Sequence, residues 1–274
     1  MIVIVTASPW ELNAILREVP MAPYLVPACY RTAAFHTPAV LVCTGFGPEA
    51  AERGLDALER NVRRTSGSWS VDLVASCGFS GALQQDLRTG DLVADVRGLE
   101  LERVELLRQA ARDRGLGLAM GAAAGSDHWL GPQEKRAPAF PGPDQEYGRL
   151  SASGAPGAAS SASGRLSASG APGAASSASG RFAVVDMETG GVRRWASLRK
   201  TPFLALRTVL DEIDDRLPPV PHGPGIWPAV RYAFENPGQA PAVCATWLKV
   251  RRASAPLGRG VRALLESWVV GVPS

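Results

Sequence analysis

The chain has 274 residues, 46% of them hydrophobic, enough to bury the core of one large α/β domain. Its formal net charge is +3 and no Lys/Arg run interleaves with aromatic residues, which argues against a nucleic-acid footprint. No apolar stretch reaches the ~20 residues of a membrane span.

Residues 1–5, Met-Ile-Val-Ile-Val, have no basic n-region and run straight into polar sequence, so they read as a first strand and not as a signal peptide. Further strands are predicted at 39–44, 72–77, 91–96, 118–124, 182–187 and 202–209. Helical patterns alternate with them, which points to βαβ units and a mostly parallel sheet. Residues 48–63 carry Ala51, Leu55, Leu58 and Val62 on one stripe behind Pro48. Residues 101–114 repeat that pattern, with Gly115 as the expected cap. The tail from 225 to 270 reads as two or three helices broken by Pro237, Pro241 and Pro256. Cys29, Cys43, Cys77 and Cys244 form no CxxC pair and are expected to be reduced core thiols of a cytoplasmic protein, neither bridges nor zinc ligands.

One segment departs from the alternation. Residues 148–163 recur letter for letter as 164–179, almost wholly Gly, Ala, Ser and Pro. Such a unit has too little apolar surface to offset its ordering entropy, and a flexible insertion at 148–181 is expected within a single domain.

Two carboxylates close apolar runs where an open α/β sheet builds its ligand crevice: Glu188 after Val184-Val185-Asp186-Met187, and Asp211 after Phe203-Leu204-Ala205-Leu206-Arg207. Rigidly held acids at strand ends suit proton transfer to a sugar or a base. Taken singly, each also has a bland reading: Glu188 at a helix start, Asp211 as an N-cap, Glu11 as a solvated loop acid.

These runs resemble the purine nucleoside phosphorylase and methylthioadenosine/S-adenosylhomocysteine nucleosidase superfamily. Three more segments carry the likeness in the same order. They are Ile2-Val3-Ile4-Val5-Thr6-Ala7-Ser8-Pro9-Trp10-Glu11, Thr44-Gly45-Phe46-Gly47-Pro48-Glu49, and Asp72 to Leu83 with its Gly78-Phe79-Ser80-Gly81-Ala82 turn. The resemblance implies a three-layer phosphorylase/hydrolase-like α/β fold with a mixed, mostly parallel central sheet. It also implies a small-molecule purine nucleoside as substrate, a homodimer, and neither cofactor nor metal.

By the same resemblance, Asp211 protonates the departing purine at N7, which requires burial to raise its pKa. Glu11 activates a water, Glu188 accepts the ribose hydroxyls and Met187 packs beneath the sugar. An acid and a base on opposite sides of a sugar follow the logic of inverting glycoside hydrolysis. Trp129 and Leu130 fall at the purine pocket, where stacking on a base is worth ~1–3 kcal/mol. Gly78, Phe79 and Ser80 replace a Gly-Ser-Ala turn, so the hydroxyl that orients Asp211 is displaced or supplied by Ser80. His128 reads as a loop residue, and Arg207 as the partner of Asp186 or Asp211.

Phosphorylases of the superfamily hold phosphate with arginines in the first loop and before the glycine turn. This chain has Thr6-Ala7-Ser8-Pro9-Trp10 and Ala75-Ser76-Cys77 there. Hydrolysis of a 5′-modified adenosine with release of adenine is therefore expected; the alternatives are a phosphorylase or a non-catalytic nucleoside-binding protein. The extension at 216–274 resembles the hopanoid-associated nucleosidase branch. Its Trp227, Val230, Trp247, Leu248, Leu264, Leu265 and Trp268 would line a channel for a long 5′ substituent, or else form helix core or a dimer interface.

Overall fold

A computed structural model of the chain describes residues 1–128, 130–136, 182–218 and 227–268, apart from the side chains of 227–229. The repeat insertion and Trp129 lie outside the described residues. So does the Trp227 side chain.

The first strand, β1 (Ile2–Thr6), is buried along its whole length, as its unbroken β-branched run requires of a strand covered on both faces. Helix α1 (Pro9–Leu16) follows, then the edge strands β2 (Ala22–Pro23) and β3 (Cys29–Thr32), and the parallel partner β4 (Ala39–Cys43). Helix α2 (Pro48–Ser66) leads to β5 (Leu73–Ala82) and β6 (Leu92–Asp95). Next come α3 (Leu101–Asp113), β7 (Leu118–Met120), β8 (Ala123–Gly125) and the short α4 (Pro132–Arg136). Beyond the insertion lie β9 (Val184–Asp186), α5 (Thr189–Leu198), β10 (Phe203–Asp211), α6 (Trp227–Glu235), and α7 (Ala240–Ser267).

The sheet order is β2-β3-β4-β1-β5-β10-β6-β7, with β9 joining the far end of β5 and β8 pairing with β9. Pairs β1–β4, β1–β5, β5–β10, β6–β7 and β8–β9 are parallel, and β10–β6, β3–β4 and β5–β9 are antiparallel. On one face Ile4, Leu73 and Ala75 pack against Ile15 of α1, Leu107 of α3 and Leu257 and Val261 of α7. On the other, Val3, Val42 and Val74 pack against Leu55 and Leu58 of α2 and Val192 and Trp195 of α5. This is the three-layer α/β arrangement expected from the sequence.

The stripe Ala51, Leu55, Leu58 and Val62 is buried as expected, and α2 is closed by Gly67 at φ +72°. Several expectations are corrected. Residues 78–82, expected as a turn, continue β5, because β10 covers Phe79 and Ser80 while β9 pairs with Gly81 and Ala82. Strand β10 correspondingly runs on to Asp211, through a bulge after Val209. The predicted strand 118–124 splits at Gly121, where a Cβ would lie 2.4 Å from the Ala183 side chain. The pair β2–β3 was not anticipated, since its exposed, mixed composition has no period-2 signal.

In the tail, Pro237 opens a 3-10 turn and Pro241 fits the first turn of α7, but Pro256 does not break that helix. Packing of Ala253, Leu257 and Val261 carries the helix across the missing donor. Cys29 and Cys77 are buried, whereas Cys244 is exposed on α7 and is not a core thiol. The tail's apolar residues divide: Leu264, Leu265 and Trp268 are core, while Val230 and Leu248 face outward. No helix among the described residues is long and apolar enough to cross a membrane.

Candidate active site

The loop after β1 and the start of α1 fix Glu11. Ser8 is the N-cap and Glu11 the third residue of the helix. The Glu11 N–H donates to Ser8 Oγ at 3.3 Å, and Glu11 Oε2 accepts from the N–H groups of Ser8 at 2.8 Å and Ala7 at 2.9 Å. This is a capping box, legible in the Ser8-Pro9-Trp10-Glu11 spacing but not expected. Strand β1 has ended at this level while β5 continues, so the Phe79 N–H has no strand partner on that side. It donates instead to Glu11 Oε1 at 2.7 Å. The Glu11 carboxylate is thus buried and anchored by three backbone donors. Its pKa is still raised, because desolvation outweighs those bonds and the nearby Arg207 charge.

Arg207 lies opposite Gly78 in the register of β5 and β10 and is 2% exposed. Its Nε stands 3.0 Å from Asp186 Oδ2, an ion pair without hydrogen-bond alignment. Its Nη2 donates to Ser76 Oγ and, at 2.8 Å, to Thr189 Oγ1. Of the two partners expected for Arg207, the fold selects Asp186. That carboxylate also accepts the N–H groups of Glu188 at 2.8 Å and Thr189 at 2.6 Å, so it shapes the entry to α5. Only glycine fits at 78: a Cβ there would lie 2.4 Å from Glu11 Oε1 and 2.6 Å from Arg207 Nη1.

Glu188 precedes α5 and is 5% exposed. Its Oε1 accepts from the Gly47 N–H at 3.1 Å, across from the loop that starts α2. Burial, then the negative charges of Asp186 and Glu11, push its pKa up to about 8 despite Arg207. Glu11, Glu188, Asp186 and Arg207 therefore form one electrostatic group at the carboxyl ends of β1 and β4 and beside β5. Met187, half-buried, sits between Asp186 and Glu188 in the chain.

Asp211 belongs to a second group. It ends β10 opposite Gly81, and a Cβ on Gly81 would lie 3.2 Å from its Oδ2. Gly78 and Gly81 are three residues apart on β5, a separation of roughly 10 Å along the strand. Asp211 is buried and is not an N-cap. Burial raises its pKa, and an ion pair with Lys135 Nζ opposes the rise. Lys135, on α4, also donates to the Glu212 carbonyl at 2.9 Å. The sequence reading missed this lysine, because nothing in an exposed-looking Gln133-Glu134-Lys135-Arg136 run marks a buried cation.

The expected hydroxyl partner of Asp211 is not found. Ser80 is buried but its hydroxyl makes no hydrogen bond among the described residues, and Lys135 holds the carboxylate instead. The Phe79 side chain packs toward Leu210, Val250 and Ala253 with Trp10, while its backbone serves Glu11. Leu130 lies against Ala124, Phe182 and Val185. His128 is exposed and bonded to Asp127 at 2.6 Å and Glu134 at 3.2 Å, as a loop residue should be.

Residues 1–95 match the family model described as the phosphorylase superfamily, the superfamily that the motifs resemble. No curated protein sequence matches the chain. Among solved structures, the methylthioadenosine/S-adenosylhomocysteine nucleosidase of Neisseria meningitidis, in complex with methylthio-immucillin-A, is similar with a TM-score of 0.57. The two are 14% identical, over 97% of this chain and 99% of that one. Futalosine hydrolase of Helicobacter pylori has a TM-score of 0.55 at 13% identity, over 96% of each chain. A putative nucleosidase of the same type from Borrelia burgdorferi, bound to adenine, has a TM-score of 0.55 at 11% identity, over 96% of this chain and 98% of that one. At these identities the likeness is one of fold, and it agrees with the family match over the first third of the chain.

Proposed function

We propose that this protein is a purine nucleosidase that hydrolyses the N-glycosidic bond of a 5′-modified adenosine and releases adenine. The observation that carries the reading is the buried Glu11–Arg207–Glu188 group beside Gly78, with a third buried acid, Asp211 of β10, opposite Gly81 three residues further along β5. The fold likeness to nucleosidases supports it.

Breaking the bond from the anomeric carbon to the purine builds positive charge on the sugar and negative charge on the base. In this reading Asp211 gives a proton to purine N7, so the base leaves neutral. Glu11, with a pKa raised by burial, takes the proton of the attacking water. Its three backbone donors fix the carboxylate's orientation, the preorganisation that base catalysis needs. Glu188 accepts hydrogen bonds from the ribose hydroxyls, and Met187 packs under the sugar. Leu130, Trp129, Phe79, Ser80 and Gly78 complete the pocket. Arg207 balances the negative charge of the group. Its Nη2 is already committed to Ser76 and Thr189, which favours water over phosphate as nucleophile.

The test is adenine release from methylthioadenosine, S-adenosylhomocysteine and adenosine, with inosine as a control, each with and without phosphate. The wild type should release adenine without phosphate, and Asp211→Asn should lose about 10²–10⁴-fold in kcat, the range of general acid catalysis. Strict dependence on phosphate would make the protein a phosphorylase. Tight adenine binding with no turnover by the wild type would make it a binding protein.

A further inference from the structure

The acid assigned to the leaving base is not alone. Lys135 Nζ forms an ion pair with Asp211 Oδ2 and donates to the Glu212 carbonyl at 2.9 Å, and the two side chains are 1% and 5% exposed. Its Cε would lie 3.1 Å from a Cβ on Gly81, so the lysine stem runs along the strand that carries Asp211's partner. The other charged groups acting on Asp211 are Asp215, just past β10, and Lys249 of α7, and these two pair with each other. Among the described residues, Lys135 is therefore the cation bonded directly to Asp211. Where the ammonium of such a pair holds the proton, the carboxylate has none to give to a purine. A working acid in this geometry needs a second proton store within reach.

We propose that Lys135 is a positioning residue that supplies Asp211 with its proton, so that the pair and not the carboxyl alone protonates the departing base. The inference rests on the nucleosidase reading above. An ammonium N–H of Lys135 breaks as the Asp211 O–H forms. That O–H breaks as N7–H forms, while the electron pair of the glycosidic bond passes to the purine. The water oxygen bonds the anomeric carbon and its proton goes to Glu11. The pair then holds one proton fewer and Glu11 one more, and exchange through solvent restores both. Lys135 also lies five residues after Leu130, on the short helix α4 that follows it.

The experiment compares the pH profiles of kcat and KM for adenine release from methylthioadenosine by wild type, Lys135→Met and Lys135→Arg, from pH 5 to 10. Thermal unfolding checks that each variant is folded. A site that can draw on an ammonium stays loaded to higher pH than one with a carboxyl alone. In Lys135→Met the alkaline limb should move acidward by about one pH unit or more, with about a tenfold loss at pH 8 that shrinks below pH 6. Arginine keeps the cation but cannot release its proton, so Lys135→Arg should lose about 100-fold or more in kcat at every pH, with KM changed only a few-fold. The order wild type, Met, Arg is the signature.

If Arg matches or exceeds Met throughout, Lys135 is only a cationic latch and the proposal is overturned; a Met profile superimposable on wild type overturns it equally. Should Lys135→Met fail to fold, Lys135→Ala with added alkylamines gives the same readout. Rescue that follows amine basicity supports the proposal, and absence of rescue in a folded variant refutes it. A wild type that cleaves no nucleoside removes the nucleosidase reading and this inference together, an outcome distinct from all of these.

Discussion

Replacing Glu188 by glutamine tests the electrostatics of the site without reference to substrate. Glu188 is 5% exposed, its pKa is about 8, and the largest cause is burial, followed by the charges of Asp186 and Glu11. A carboxyl whose folded value stands above its unfolded value of 4.5 binds more protons in the folded state between the two. Stability therefore falls as pH rises through that window, from no penalty below about 4.5 to the full penalty above about 8. The window is 3.5 pH units, and at 1.36 kcal/mol per unit the penalty approaches about 5 kcal/mol.

Glutamine matches the volume and can still accept from the Gly47 N–H, so Glu188→Gln removes the penalty and little else. The variant should be more stable than wild type at pH 9, by on the order of 3–5 kcal/mol, and within ~1 kcal/mol of it at pH 5. Urea unfolding at the two pH values, extrapolated linearly, measures both numbers. The same stabilisation at both pH values would refute the reasoning, because it would mean that no buried charge is relieved. At pH 9, where Glu188 is ionised, the variant's kcat/KM should meanwhile fall about 10–100-fold, the loss of a charged hydrogen bond to a ribose hydroxyl.

Two substitutions test the packing that holds the acids in place. A Cβ on Gly258 of α7 would lie 2.4 Å from the Ala14 carbonyl oxygen of α1, which is backbone and cannot swing away. Gly258→Ala should therefore cost about 1–3 kcal/mol despite alanine's better helix propensity, and a lowered urea midpoint reads it. Leu257, fully buried where α7 meets the sheet, should cost about 2–5 kcal/mol when cut to alanine, with an unchanged slope in urea. Since α1 carries Glu11 and Gly258 abuts α1, the Gly258 variant should also lose adenine release more than the Leu257 variant does, measured at equal folded fraction.

The resemblance carried by residues 2–11, 44–49, 72–83 and 184–211 pointed to Glu11, Glu188 and Asp211 as candidates, because strand ends and glycine turns are local patterns. The same locality explains what was legible in the fold: β-branched runs such as Ile2-Val3-Ile4-Val5 and the stripe on α2 are signals within one element. Phe79 and Ser80 became strand because β10 pairs with them, as β9 does with Gly81 and Ala82, a fact with no local trace. Pro256 stayed inside a helix because the core on either side of it is worth more than one missing hydrogen bond.

The chain order alone determined which acids stand at the ends of which apolar runs, and so which chemistry the protein can carry. Only the tertiary structure decided how those acids are grouped. Glu11 and Glu188 share Arg207, while Asp211 faces a lysine 76 residues away in sequence. Proton affinities in a buried site are set by burial and by charges a few ångströms off, and those neighbours arrive from distant segments when the sheet closes.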